Sequence, residues 1–163
     1  MNYLYLTHHL KKKNWREANE ETSRLLLEVF SSEKQGYLRI EEVRIFPCEV
    51  LCILDRLWRD NSNRKFGISI QVEIYKSLGV KEEYNRQIWD NFFQKVGWMR
   101  NGNYIGIEYE SINVDTLVGY LPNLAFTVAD GNWNIGFNFW PGYYEILPSA
   151  LNCDCLNCDL NSN

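Results

Sequence analysis

Residues 54–71 read LDRLWRDNSNRKFGISIQ: an apolar helix end, a polar turn, then a second apolar run entered through Phe66 and Gly67. The first part closes a run from Cys48 in which Val50, Leu51, Ile53, Leu54, Leu57 and Trp58 are apolar almost all round, with Asp55 and Arg56 as polar exceptions. A helix of that kind is central and buried. Pro47 suits its first position, where no amide hydrogen is needed. Residues 60–64 form a polar turn. Beyond it Ile68, Ile70, Val72 and Ile74 alternate with Ser69, Gln71 and Glu73, the period of a strand. The competing helical reading runs through Ile70, Ile74 and Leu78, with Gly79 as C-cap. Alternation alone favours the strand, so the fold class turns on this stretch.

Upstream, Tyr3, Leu4, Leu6 and Leu10 fit one or two helical turns. Asn14 offers an N-cap with Glu17 at capping-box spacing. From Trp15, a 3.6-residue stripe (Ala18, Thr22, Leu25, Leu26, Val29, Phe30) predicts a helix to about Ser31. Residues 37–46 favour a short helix. Downstream, Tyr84, Ile88, Trp89, Phe92, Phe93 and Val96 form a second stripe, ended by Gly97. Residues 98–110, with Gly102 and Gly106, read as a loop or short extended piece. The state of 111–118 stays open, and 119–122 is a turn. Residues 123–163 change character, with Gly131, Gly136, Pro141, Gly142 and Pro148 among many rings; a last short helix fits 145–156.

The 163 residues suffice for one domain with a real core. Hydrophobic residues at 45% and charged residues at 23% describe an ordinary globule. Six Trp, ten Tyr and eight Phe exceed what a small core needs, which points some rings to a groove or interface, with a ring-rich core as the alternative. A net charge of −4 gives no pull toward nucleic acid, and Lys11, Lys12 and Lys13 read as a helix end facing water. No window of eighteen apolar residues is present, so no transmembrane span is expected. The N-terminus carries no signal-type apolar region and no Arg- and Ser-rich leader, so no import through a cleaved presequence is expected.

Both histidines, His8 and His9, lie at the N-terminus, which argues against a histidine general base or axial haem ligand in a central pocket. They read as a solvated helix end. Nucleotide-loop and zinc-protease motifs are absent, and Asp55 beside Arg56 and Arg59 reads as a local ion pair. Cys48 and Cys52, four apart in an apolar run, read as buried free thiols. Cys153, Cys155 and Cys158 form CDCLNC, three thiolates where zinc wants four ligands, so they are weak metal candidates and a tail is the better reading. The odd total of five argues against a complete disulfide framework and fits a reducing compartment. What remains is a set of rings (Phe66, Trp98, Tyr104, Tyr120) and cations (Arg64, Lys65, Arg100) around the middle of the chain. A flat apolar ligand bearing carboxylates needs such a lining, and core rings beside surface cations give the same list.

Five pieces in order carry a family resemblance. YLTHHLKKKNWREANEET at 5–22 has a Trp-x-x-Ala-x-x-x-Thr pattern, and Phe46-Pro47-Cys48 follows. Next come residues 54–71, Val96-Gly97-Trp98 and Gly119-Tyr120-Leu121-Pro122. Over about residues 3–122 the chain resembles the genomes-uncoupled-four domain, a porphyrin-binding family. The resemblance implies an all-α "cupped hand" fold with a concave ligand face, hence a helix over 68–78. It implies a porphyrin-binding core at 1–122 and a divergent segment, 123–163, packed on or trailing it. It further implies a binding regulator and not an enzyme, which takes protoporphyrin IX or Mg-protoporphyrin IX as ligand and needs no cofactor. Such a regulator stimulates magnesium chelatase, through the chelatase's large porphyrin-binding subunit, on the route to chlorophyll. No nucleic acid is expected as a partner, and membrane association would be peripheral.

The candidate ligand-binding residues are Arg64, Lys65, Phe66, Trp98, Arg100, Tyr104, Leu117, Val118, Tyr120 and Leu121. The chain departs from the family at several of them: Tyr120 replaces a histidine, Asp115-Thr116-Leu117 replaces an Ala-Pro, Tyr104 replaces a tryptophan, and Arg100 is shifted by one. These departures keep open a signalling or protein-interaction module of the same fold, in which residues 98–122 recognise a partner or a linear bilin. Chlorophyll synthesis and the asparagine-rich, AT-type composition point to the chloroplast stroma and a plastid-encoded algal protein, with the cyanobacterial cytoplasm as the alternative.

Overall fold

The computed structural model describes residues 1–79, 85–113, 115–124 and 143–156, with backbone alone at 143–146. Among these the chain forms α1 (Leu4–Lys11), α2 (Trp15–Glu28), α3 (Ile40–Arg44), α4 (Cys48–Asn61), α5 (Ile68–Lys76) and α6 (Arg86–Val96). There follow a two-residue hairpin, β1 (Met99–Arg100) with β2 (Asn103–Tyr104), and then α7 (Tyr143–Ala150). Short 3-10 turns lie at Tyr109–Ser111 and Asp154–Leu156. The fold is all-α, as the resemblance implies.

The deciding stretch is a helix. Its alternating polar residues do not face water: Ser69 is 1% and Gln71 0% exposed. Ile68, Ile70 and Val72 are buried as well, so α5 is enclosed on several sides. Alternation signals a strand only when the polar half is solvated. Here both polar groups are buried and hydrogen-bonded, which burial requires. The Ser69 amide and hydroxyl both donate to Asp55 Oδ1, at 2.7 and 2.9 Å. Asp55 thereby ties the first turn of α5 to α4. Burial pushes its carboxyl above the usual carboxylate range, against the pull of the Ser69 donors and of Arg59, whose Nη1 lies 3.5 Å from Oδ2.

Several local expectations need correction. Asn14 stands at the N-cap of α2, but its side chain makes no cap bond. Its own amide donates to the His9 carbonyl at 3.0 Å, so the Glu17 carboxylate has no donor to return to. A capping interaction of that kind forms instead at α3, where the Arg39 amide donates to Glu42 Oε2 at 2.7 Å. Pro47 sits at the N-cap of α4, one residue before the position expected. That helix runs on to Asn61, and the turn begins at Ser62, with Asn63 and Arg64 at positive φ. The α6 helix starts at Arg86 behind Asn85, whose side chain accepts from the Gln87 and Ile88 amides. Tyr84, and the rings Phe126, Trp133, Phe137, Phe139 and Trp140, lie outside the described residues.

The reading of Cys48 and Cys52 as free thiols is overturned. Cys48 is joined to Cys153, and Cys52 to Cys155, with Cα atoms 5.3 and 5.9 Å apart. Four-residue spacing puts both α4 cysteines on one face. The C-x-C pair at 153–155 meets that face, so an odd total conceals two bridges. The trio Cys153, Cys155 and Cys158 is therefore not a set of free thiolates for a metal; Cys158 lies outside the described residues.

Among the described residues, many of the rings belong to the core. Trp58, Trp89, Trp98, Phe66 and Phe92 are among the largest fully buried side chains. Trp58 stacks on Trp15 at 6.1 Å, and Tyr75 on Trp89 at 4.6 Å. Among the described residues no helix is long and apolar enough to cross a membrane.

Candidate functional site

The loop from Gly119 to Asn123 is held by several buried hydrogen bonds. Gln71 Nε2, fully buried on α5, donates to the Gly119 and Pro122 carbonyls, each at 2.8 Å. Trp98 Nε1 donates to the Tyr120 carbonyl at 2.9 Å. The Gly67 amide donates to the Leu121 carbonyl at 3.0 Å, and the Gly119 amide to the Lys65 carbonyl at 2.9 Å. Asn19 of α2 brackets Asn123, accepting from its amide at 2.7 Å and donating to its carbonyl at 3.0 Å. The Leu121–Pro122 peptide is cis. Gly119 sits at φ +79°, a conformation that strains any other residue, and an added Cβ would also push Ile74 Cδ1 from 2.7 Å away.

Directly before this anchored run the chain is exposed. Leu117 and Val118 show 50% and 52% of their surface, two of the few large apolar side chains exposed in the described chain. Leu117 lies over Gly97, the left-handed C-cap of α6, where an added Cβ would meet Leu117 Cδ1 at 3.1 Å. The same cap sends Trp98 into the core and carries the exposed Arg100 out on β1. Arg100 stands near enough to Tyr120 to favour its ionised form, although burial, the larger effect, raises that hydroxyl above its ordinary range. On the other flank, Arg64 is exposed at a left-handed position, and Lys65 Nζ donates to the Asn113 carbonyl at 3.4 Å.

The ten candidate residues thus fall into two groups. Arg64, Arg100, Leu117 and Val118 are exposed, and Lys65 and Tyr104 are half-buried. Phe66, Trp98, Tyr120 and Leu121 are buried beneath them, at 7% exposure or less. Tyr120 has a structural task of its own, since its hydroxyl accepts from the Glu108 amide at 2.9 Å. Tyr104 Oη accepts from Asn123 Nδ2 at 3.0 Å. Further along, Arg16 covers the Tyr109 ring at 4.7 Å and pairs with Glu110, pinning the loop to α2. Burial pushes the Tyr109 hydroxyl up to about 12, so it is neutral at physiological pH.

Sequence reasoning passed over Gln71, Asn19 and Asn123 as site residues. The signal was present: Asn19 lies beside the apolar stripe of α2, and Gln71 sits inside an Ile- and Val-rich run. A buried amide in such a place must be bonding something.

A family model described as GUN4-like matches residues 1–135. A curated relative from Arabidopsis thaliana, "Tetrapyrrole-binding protein, chloroplastic", is 34% identical over 129 residues, covering 72% of this chain and 46% of that protein. "Uncharacterized protein ycf53" of Pyropia yezoensis is 28% identical over 100 residues, covering 60% of this chain and 39% of that protein. The chain thus spans less than half the length of these curated relatives. The ligand-free structure of Arabidopsis thaliana GUN4 superposes with a TM-score of 0.70 at 27% identity, over 96% of this chain and 98% of that one. GUN4 from Chlamydomonas reinhardtii gives 0.67 at 26% identity, over 96% and 89%.

Proposed function

This chain belongs to the GUN4-like family, and on that premise we propose that it is a tetrapyrrole-binding regulator. Its ligand is protoporphyrin IX or Mg-protoporphyrin IX, held at the surface made by Leu117 and Val118 with Arg64, Lys65 and Arg100. The observation that carries this reading is the contrast within one loop: two exposed apolar side chains run straight into a stretch held by buried donors. A macrocycle needs an apolar bed that does not collapse when the ligand leaves, and cations for its propionates. Leu117 and Val118 supply the bed. The guanidiniums of Arg64 and Arg100 and the Lys65 ammonium pair the carboxylates, and Tyr104 borders the ring edge. Phe66, Trp98, Tyr120 and Leu121 act from beneath, by holding the loop.

In this reading the protein carries out no bond chemistry. It presents porphyrin to the large subunit of magnesium chelatase and raises the rate of magnesium insertion, in the chloroplast stroma. The experiment is gel filtration of the chain with protoporphyrin IX, followed by a chelatase assay. Porphyrin co-eluting at one per chain, and faster magnesium insertion, are expected. A chain that elutes bare and leaves the chelatase rate unchanged overturns the reading. Arg100→Ala tests the site itself: losing a charge-assisted bond to a propionate weakens binding by about 1–3 kcal/mol, roughly five- to 150-fold in Kd. A titration curve identical to that of the parent removes Arg100 from the site.

A further inference from the structure

We propose that the disulfide joining Cys48 to Cys153 is a thiol–disulfide exchange site, through which a dithiol protein unlocks the C-terminal segment. The inference does not depend on what the loop near Leu117 binds. Two bridges, spanning 105 and 103 residues of sequence, fasten the 3-10 turn region after α7 to successive turns of α4. They secure a segment that inserts Leu147, Ala150, Cys153 and Leu156 into the core, each at 2% exposure or less. The segment packs on α3, α4 and α5, and α5 carries Gln71.

The two ends of the first bridge are unequal. Cys48 is exposed at the first turn of α4, whereas Cys153 is 2% exposed. Exchange needs access for the attacking thiolate, which the exposed end of the bridge gives. Attack is directed at the Cys48 sulfur. The incoming thiolate forms a mixed disulfide with Cys48, and the Cys153 thiolate leaves and takes a proton. The second thiol of the same protein then closes its own disulfide and releases Cys48. Two electrons and two protons pass from the dithiol to the bridge. Cys52 and Cys155 are both half-buried, so the second bridge opens after the first.

The proposal is tested on the full chain by alkylation under native conditions, with each cysteine followed by mass spectrometry. Without reductant, less than a tenth of Cys48, Cys52, Cys153 and Cys155 should be labelled. A dithiol oxidoreductase of the thioredoxin type, with its own reductase, should open the first bridge at least tenfold faster than glutathione does at the same thiol concentration. Labelling of Cys48 should precede that of Cys52. Limited proteolysis should then remove the C-terminal segment from the reduced chain and spare the oxidised one. The double variant Cys48→Ser, Cys153→Ser, which keeps the second bridge, should be cut at an intermediate rate. Full labelling without reductant overturns the proposal. So do bridges that open only after denaturation, and so does a reduced chain as protease-resistant as the oxidised one; these outcomes are read on the unaltered sequence and survive a variant that fails to fold.

Discussion

Trp58→Ala lowers the stability of the chain by about 3–5 kcal/mol, the range for deleting a fully buried large aromatic. Trp58 is 0% exposed, in the third turn of α4. Its ring stacks on Trp15 at 6.1 Å and meets Phe66 edge-on at 6.5 Å. Its Nε1 donates to Thr22 Oγ1 at 3.0 Å, a buried bond to α2. Truncation therefore opens a cavity between α2, α4 and the Phe66 turn and strips Thr22 of a partner. In a chain of this length a loss of that size lowers Tm by about 6–20 °C. Calorimetry or urea unfolding reads it directly, and a variant melting with the parent shows that Trp58 does not hold these elements together.

Gln71→Leu should cost about 2–4 kcal/mol, and its effect reaches the proposed site. The substitution roughly keeps the volume but removes both donors from Nε2. The Gly119 and Pro122 carbonyls, each 2.8 Å away in buried surroundings, lose that donor. A buried polar group deprived of its partner costs about 1–3 kcal/mol. The loop then loses its side-chain tie to α5, so Leu117 is held less firmly over Gly97 and Val118 beside it. Stability and porphyrin affinity should fall together, although Gln71 is fully buried and touches no ligand. Reduced stability with unchanged affinity would show that the loop keeps its shape without Gln71. Unchanged stability would show that the two carbonyls do not depend on it.

Much of the fold was legible because its helices follow ordinary rules. The stripe of α2 and that of α6, closed by a left-handed Gly97, are read from spacing alone. Residues 68–76 were not, since periodicity records which residues are apolar and not where the polar ones go. Ser69 and Gln71 look like a solvated face until Asp55 and the Gly119 and Pro122 carbonyls are brought to them, from 14 and from 48 and 51 residues away. Only the family resemblance supplied that information. The cysteines failed for the same reason, because the partners lie more than 100 residues apart and a parity count is blind to a fifth residue. At the candidate site, sequence named ten residues but could not sort them. Phe66 and Trp98 carry the same ring signal whether they line a surface or support it, and only burial separates them from Leu117 and Val118.

The central claim, that the anchored loop and its flanking cations receive a porphyrin, is tested most directly by titrating the chain with protoporphyrin IX while tryptophan emission and porphyrin absorbance are read together. Trp98 lies beneath the loop, bonded to the Tyr120 carbonyl, within energy-transfer range of any macrocycle bound above it. The expected result is saturable quenching at one porphyrin per chain, with a shift of the Soret band at the same stoichiometry, at micromolar protein. Neither quenching nor a Soret shift at that concentration would contradict the account.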